Sequence, residues 1–187
     1  MNRFKEQWDN YFEGKISIWS YFGYQYHSNL IVKHVVPKLN IPPEGKIIQL
    51  GTGLGIAVET LCNLFGSDRV VGYDLFNPLR HPNIQFLDTE VQIPPRNKIA
   101  FIEIDIGSMS HASENRKKLL NWALENTIIG GCILTNKKLA DELKKDGVDN
   151  FEIIALNSFD IPELWSNVHE SRLNTKVILR IIKEREK

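Results

Sequence analysis

The chain has 187 residues, and 23 Lys plus Arg balance 23 Asp plus Glu, so its formal net charge is zero. That length suits one domain able to bury a core without staples, and neutrality argues against a nucleic-acid clamp, which needs a basic face. No apolar run approaches the ~20 residues of a membrane span, the polar start has no signal-peptide core, and Cys62 and Cys132 are too few for a disulfide framework or a zinc cage. The expectation is a soluble, cytoplasmic domain that binds neither nucleic acid nor membrane.

Residues 1–27 hold 9 of the 18 aromatic side chains, Phe4, Trp8, Tyr11, Phe12, Trp19, Tyr21, Phe22, Tyr24 and Tyr26. Aromatics supply much apolar area per residue, so residues 1–40 read as an N-terminal cover and helix over a core at 41–187. The cover either packs only or also walls a small-molecule pocket. Ser28 is placed to cap a helix running to about Val36, with Leu30, Ile31 and Val35 inward.

From residue 46 short apolar runs alternate with longer amphipathic stretches, the mark of βα units and a parallel sheet. Strands are predicted at Lys46–Leu50, Arg69–Tyr73, Asn83–Leu87 and Lys98–Ile104. A helix at Ile56–Phe65 turns Ala57, Leu61, Leu64 and Phe65 to one face and stops at Gly66. Residues 89–97 carry Pro94-Pro95 and cannot form an ordinary helix. A long helix over 113–128 follows, with Leu119, Leu120, Ala123, Leu124 and Ile128 facing the sheet. Gly130-Gly131 then breaks the chain before a strand at Cys132–Thr135 and a short helix at Lys137–Lys145. Phe151–Leu156 and Lys176–Ile182, joined by a polar loop, read as an antiparallel pair.

The first strand runs directly into Gly51-Thr52-Gly53-Leu54-Gly55 and then a helix. Glycines suit a tight turn where a ligand lies against bare backbone, and the helix start offers free N–H groups to an anionic part of it. Nineteen residues past Gly55, at the end of the second strand, Asp74 is placed to accept both hydroxyls of a ribose. A dinucleotide fingerprint, G-x-G-x-x-G, would need glycine at 56, where this chain has Ile56. That weighs against a nicotinamide oxidoreductase.

The G-x-G-x-G pattern, seven strands and a terminal hairpin resemble the class I S-adenosylmethionine-dependent methyltransferases, over residues 28–183. Ile47-Ile48-Gln49-Leu50-Gly51-Thr52-Gly53 matches that family's glycine loop, and Val70-Val71-Gly72-Tyr73-Asp74 its ribose-binding strand end. Asn83-Ile84-Gln85-Phe86-Leu87-Asp88 is similar to the third strand, whose terminal acid receives the adenine amino group. Ile102-Glu103-Ile104-Asp105 is similar to the fourth, facing the reacting methyl. His111, nineteen residues before Gly130-Gly131, resembles a subgroup of small-molecule methyltransferases with an acid-then-His loop. The resemblance implies an α/β, Rossmann-like methyltransferase fold, with a seven-stranded mostly parallel sheet, a C-terminal antiparallel hairpin and helices on both faces. It implies S-adenosylmethionine held by Gln49, Gly51, Thr52, Gly53, Gly55, Asp74, Leu75, Asp88, Thr89 and Asp105.

The chain departs from the family at Gln49, where an Asp or Glu usually helps to hold the methionine ammonium. Thr135-Asn136 stands where metal-dependent members carry paired acids, so no metal is expected. The helix between the third and fourth strands is cut short.

Ligands of open parallel sheets sit at the carboxyl ends of the strands. There Asp105 and His111 are the candidates for orienting an acceptor and taking its proton, with Tyr26 and His27 of the cover as further candidates. Asp105 has a ligand hydrogen bond as its other reading. Glu103 is either a pocket group or a solvent-facing edge residue. His81 and His169 read as solvated surface groups. The loop at 158–174, with Trp165, and the aromatic start are long enough to shape an acceptor site. The leading function is methyl transfer to oxygen or nitrogen of a small-molecule acceptor. The alternatives are another S-adenosylmethionine reaction, alkyl transfer or cyclisation, that releases methylthioadenosine, and a non-catalytic S-adenosylmethionine-binding subunit.

Overall fold

A computed structural model describes residues 21–75, 77, 80–89, 91–104, 113–161 and 174–184. In chain order its elements are α1 (Tyr21–His34), a short 3-10 turn (Val36–Lys38), β1 (Lys46–Leu50), α2 (Ile56–Phe65), β2 (Val70–Asp74) and β3 (Ile84–Phe86). They continue as β4 (Ile99–Ile104), α3 (Ser113–Asn126), β5 (Thr127–Asn136), α4 (Lys137–Lys145), β6 (Phe151–Ala155) and β7 (Lys176–Ile181). Seven strands among the described residues form one sheet in the order β3-β2-β1-β4-β5-β7-β6. β1 to β5 run parallel, while β7 pairs antiparallel with both β5 and β6. The sheet is thus mostly parallel with a closing antiparallel pair, as expected.

Both faces of the sheet are covered. Alternation along a strand sends neighbours to opposite sides, so Phe101 packs with α1 and α2 while Ile102 packs with α3 and α4. β4 lies at the centre and is buried along its whole length, which is why it reads as a nearly unbroken apolar run. A side chain of this kind contributes ~1.5–3 kcal/mol when fully buried, so the one charged residue of β4, Glu103, stands out against its setting.

Three local features explain the element boundaries. Asn136 caps α4 by accepting the Lys138 N–H at 2.8 Å. Gly66 ends α2 with a left-handed φ of 87° and donates its N–H to the Cys62 carbonyl. Gly72 lets β2 lie close beneath the glycine loop, because a Cβ there would meet Thr52 Cγ2 at 2.5 Å and Val58 Cγ2 at 2.9 Å.

Several expectations need correction. α1 already includes Tyr21, so Ser28 lies within the helix and caps nothing. The inward face of α2 runs through Ala57, Val58 and Leu61, whereas Leu64 is 41% exposed. α3 stops at Asn126, and Ile128 belongs to β5, which continues through Gly130-Gly131. The glycine pair sits at a register shift between β4 and β5, with Gly130 at φ 81°. It irregularises the strand without ending it. Among the described residues, 89 and 91–97 contain no helix, as the proline pair dictates.

Candidate functional site

The carboxyl ends of β1, β2 and β4 converge on the glycine loop. Gly51, Gly53 and Gly55 have φ of 72°, 55° and 81°, a left-handed backbone that other residues enter at a cost. Gly55 occupies the N-cap of α2, and no side chain caps that helix. Its first amides therefore face the loop with the positive end of the helix dipole. Thr52 is fully buried, and its Oγ1 has no hydrogen-bond partner among the described residues.

Asp74 ends β2 as predicted. Its Oδ2 accepts the Gly53 N–H at 2.7 Å, so the carboxylate is fixed across the mouth of the loop. The next residue, Leu75, is 51% exposed. Asp88 follows the short β3 and is held in a turn, its N–H donating to Gln92 Oε1 and its carbonyl accepting the Gln92 N–H. Thr89 is buried, and its carbonyl accepts from Asn115 of α3 at 2.6 Å. The adenine-side candidates are thus two strand ends tied down by backbone contacts.

Gln49 sits two residues before Gly51, and its register partner on β4 is Glu103. Gln49 Nε2 donates to Glu103 Oε2 at 2.9 Å and to Ser28 Oγ at 3.1 Å, and the Ser28 hydroxyl donates to Glu103 Oε1 at 2.7 Å. Glu103 is 1% exposed, which rules out the solvent-facing reading. Burial pushes its carboxyl above the usual range, opposed by the charge of Lys176 and by the two donors. Lys176, the first residue of β7, is likewise buried, and burial lowers it to about 8 against the pull of Glu103. The carboxylate missing at position 49 is therefore present one strand away. Sequence reading missed this network because Ser28 and Glu103 are 75 positions apart.

His27 lies beside Ser28 on α1 and is 1% exposed, inside the protein instead of on a cover. α1 also contains Tyr26, whose side chain lies outside the described residues, as do Asp105, His111, Trp165 and His169. His81 is no solvated surface group. Its Nε2 meets Glu59 Oε2 at 2.8 Å, its Nδ1 accepts the Asn83 N–H, and its side chain is 12% exposed. It packs behind Gly55, whose added Cβ would lie 3.6 Å from His81 Cβ.

The residues present suit an S-adenosyl ligand on three counts. Left-handed glycines leave backbone without side chains, the Asp74 carboxylate is held beside an uncapped helix start, and two buried oxygens (Thr52 Oγ1 and Gln49 Oε1) have no hydrogen-bond partner among the described residues. At the other candidate edge, Asn136 is committed to capping α4.

Sheet order, antiparallel β7 and glycine loop define the fold of class I S-adenosylmethionine-dependent methyltransferases. The chain is similar to the solved structure of a TehB-like S-adenosylmethionine-dependent methyltransferase from Corynebacterium glutamicum, at 15% identity and a TM-score of 0.53, covering 96% of this chain and 97% of that one. It is also similar to an S-adenosylmethionine-dependent methyltransferase from Clostridium acetobutylicum, at 17% identity and a TM-score of 0.47, over 82% of this chain and 63% of that one. At 15% identity the first of these likenesses speaks for the fold alone. No protein-family model and no curated protein matches the sequence. No helix among the described residues is long and apolar enough to cross a membrane.

Proposed function

We propose that this chain is a single-domain methyltransferase that moves the methyl group of S-adenosylmethionine to an oxygen or nitrogen of a small-molecule acceptor. The observation that carries the reading is Asp74 fixed at 2.7 Å to the amide of Gly53, between left-handed glycines at the start of an uncapped helix. In this reading Asp74 accepts the ribose hydroxyls, the uncapped first amides of α2 meet the polar end of the donor, and Asp88, Leu75 and Thr89 border its base. The donor supplies an already activated methyl on a sulfonium. The protein aligns the acceptor, excludes water and removes one proton. The acceptor lone pair forms the new bond as the sulfur–carbon bond breaks, leaving S-adenosylhomocysteine. Asp105 follows β4 directly in sequence, and we assign proton removal to Asp105 and His111, with Tyr26 and His27 of α1 as the further candidates.

We propose no resident divalent cation, and turnover that survives chelation by EDTA. A neutral net charge supports a small acceptor over nucleic acid, and two free cysteines suit the reducing cytoplasm. Incubation with methyl-labelled donor and a metabolite extract tests the reaction. S-adenosylhomocysteine together with a labelled small molecule is the expected outcome. Methylthioadenosine would replace methyl transfer by another use of the sulfonium, and an unconsumed donor would leave a binding subunit.

A further inference from the structure

The Ser28–Gln49–Glu103 cluster has more acceptors than donors. Among the described residues, Glu103 receives two hydrogen bonds, both from neutral groups, while Gln49 Oε1 is buried with no hydrogen-bond partner. A buried carboxylate supplied only with neutral donors is costly to keep charged, and a buried orphan carbonyl costs as much as a lost hydrogen bond. Both costs fall on one spot, beside the first glycine of the loop and under α1. A cationic group with several N–H donors would relieve them together, satisfying Gln49 Oε1 and adding charge-assisted bonds to Glu103. Lys176 acts on the same carboxylate through space from the start of β7. Its pull opposes the larger, upward push of burial on that carboxyl.

We propose that Glu103, oriented by Ser28 and Gln49, binds the α-ammonium of the S-adenosyl amino acid, so that β4 supplies the charge for that end of the ligand. The inference rests on the methyltransferase reading but makes a separate demand. It requires discrimination between S-adenosylhomocysteine and its deaminated analogue, which differ only in that ammonium. Calorimetry on the full chain should show the wild type binding S-adenosylhomocysteine about 10- to 100-fold more tightly than the analogue, the worth of a charge-assisted hydrogen bond. Glu103→Gln keeps the shape and removes the charge, and should lose that preference while binding the analogue as the wild type does. Gln49→Glu combined with Glu103→Gln moves the carboxylate to the paired strand and should restore it. If Glu103→Gln does not fold, Glu103→Asp retracts the carboxylate and should shrink the preference. A folded Glu103 variant that keeps the full preference, or weakens both ligands in parallel, would overturn the assignment. Failure of the wild type to bind either ligand would remove the methyltransferase reading itself, a distinguishable result.

Discussion

Two glycine-rich segments of this chain look alike on paper and do opposite work. Gly51 to Gly55 lies at the carboxyl edge of the sheet, where left-handed glycines turn the chain into α2, whose first amides no side chain caps. Gly130-Gly131 lies at the amino end of β5, where the backbone of a neighbouring strand crowds in. A Cβ on Gly131 would meet Thr127 Cγ2 at 2.7 Å, the Ile128 carbonyl at 2.9 Å and the Ala100 carbonyl at 3.0 Å. The first segment turns the chain at the edge where we propose that a ligand binds; in the second, the sheet leaves no room for a side chain at Gly131, and Gly130 is required by its φ of 81°. Glycine alone does not announce function. Its place relative to the strand ends does.

That contrast breaks most readily at Asp74. Asp74→Ala should cost ~1.5–3 kcal/mol of donor affinity, as expected for lost hydrogen bonds to a charged acceptor, with a much smaller change in stability. Calorimetry against S-adenosylhomocysteine, paired with urea unfolding, separates the two. Gly131→Ala should do the reverse. Overpacking against backbone costs ~1–3 kcal/mol of stability, and donor affinity per folded molecule should match the wild type.

The buried pair beneath the carboxyl edge gives a prediction in pH. Lys176 is lowered by burial to about 8 from 10.5, so the unfolded chain holds its proton across that interval and the folded chain releases it. Unfolding therefore takes up a proton between those values, and stability from this group rises with pH through the window. Urea unfolding at pH 8 and pH 10 should show a gain of ~1–2 kcal/mol for the wild type relative to Lys176→Met. Tyrosine and cysteine titrations are common to both proteins and cancel. A smaller effect marks the limit of the ligand edge. Asn136→Ala removes the cap of α4 and should cost ~1 kcal/mol of stability, with donor binding intact.

Much of the fold was legible in the sequence where signals are local. β1, α2 and α4 have the predicted boundaries, because a glycine loop, a terminal glycine and an Asn cap mark their ends. The glycine loop and Asp74 came from strand, turn and spacing together. What escaped depends on distant partners. Ser28 has the composition of a cap, yet its hydroxyl serves a carboxylate on β4. His81 has the composition of a surface loop, yet it braces Asn83 and Glu59. Gln49 looked like a lost charge until β4 was placed beside it, since register between parallel strands is a property of the assembled sheet.

The central claim, that the carboxyl edge is built for an S-adenosyl ligand and not for a dinucleotide, meets its most direct test in calorimetry of the full chain with S-adenosylmethionine, S-adenosylhomocysteine and NAD. The account predicts saturable binding of the first two and none of NAD, because Ile56 stands where the dinucleotide turn needs glycine. Binding of NAD with no response to either S-adenosyl compound would contradict it.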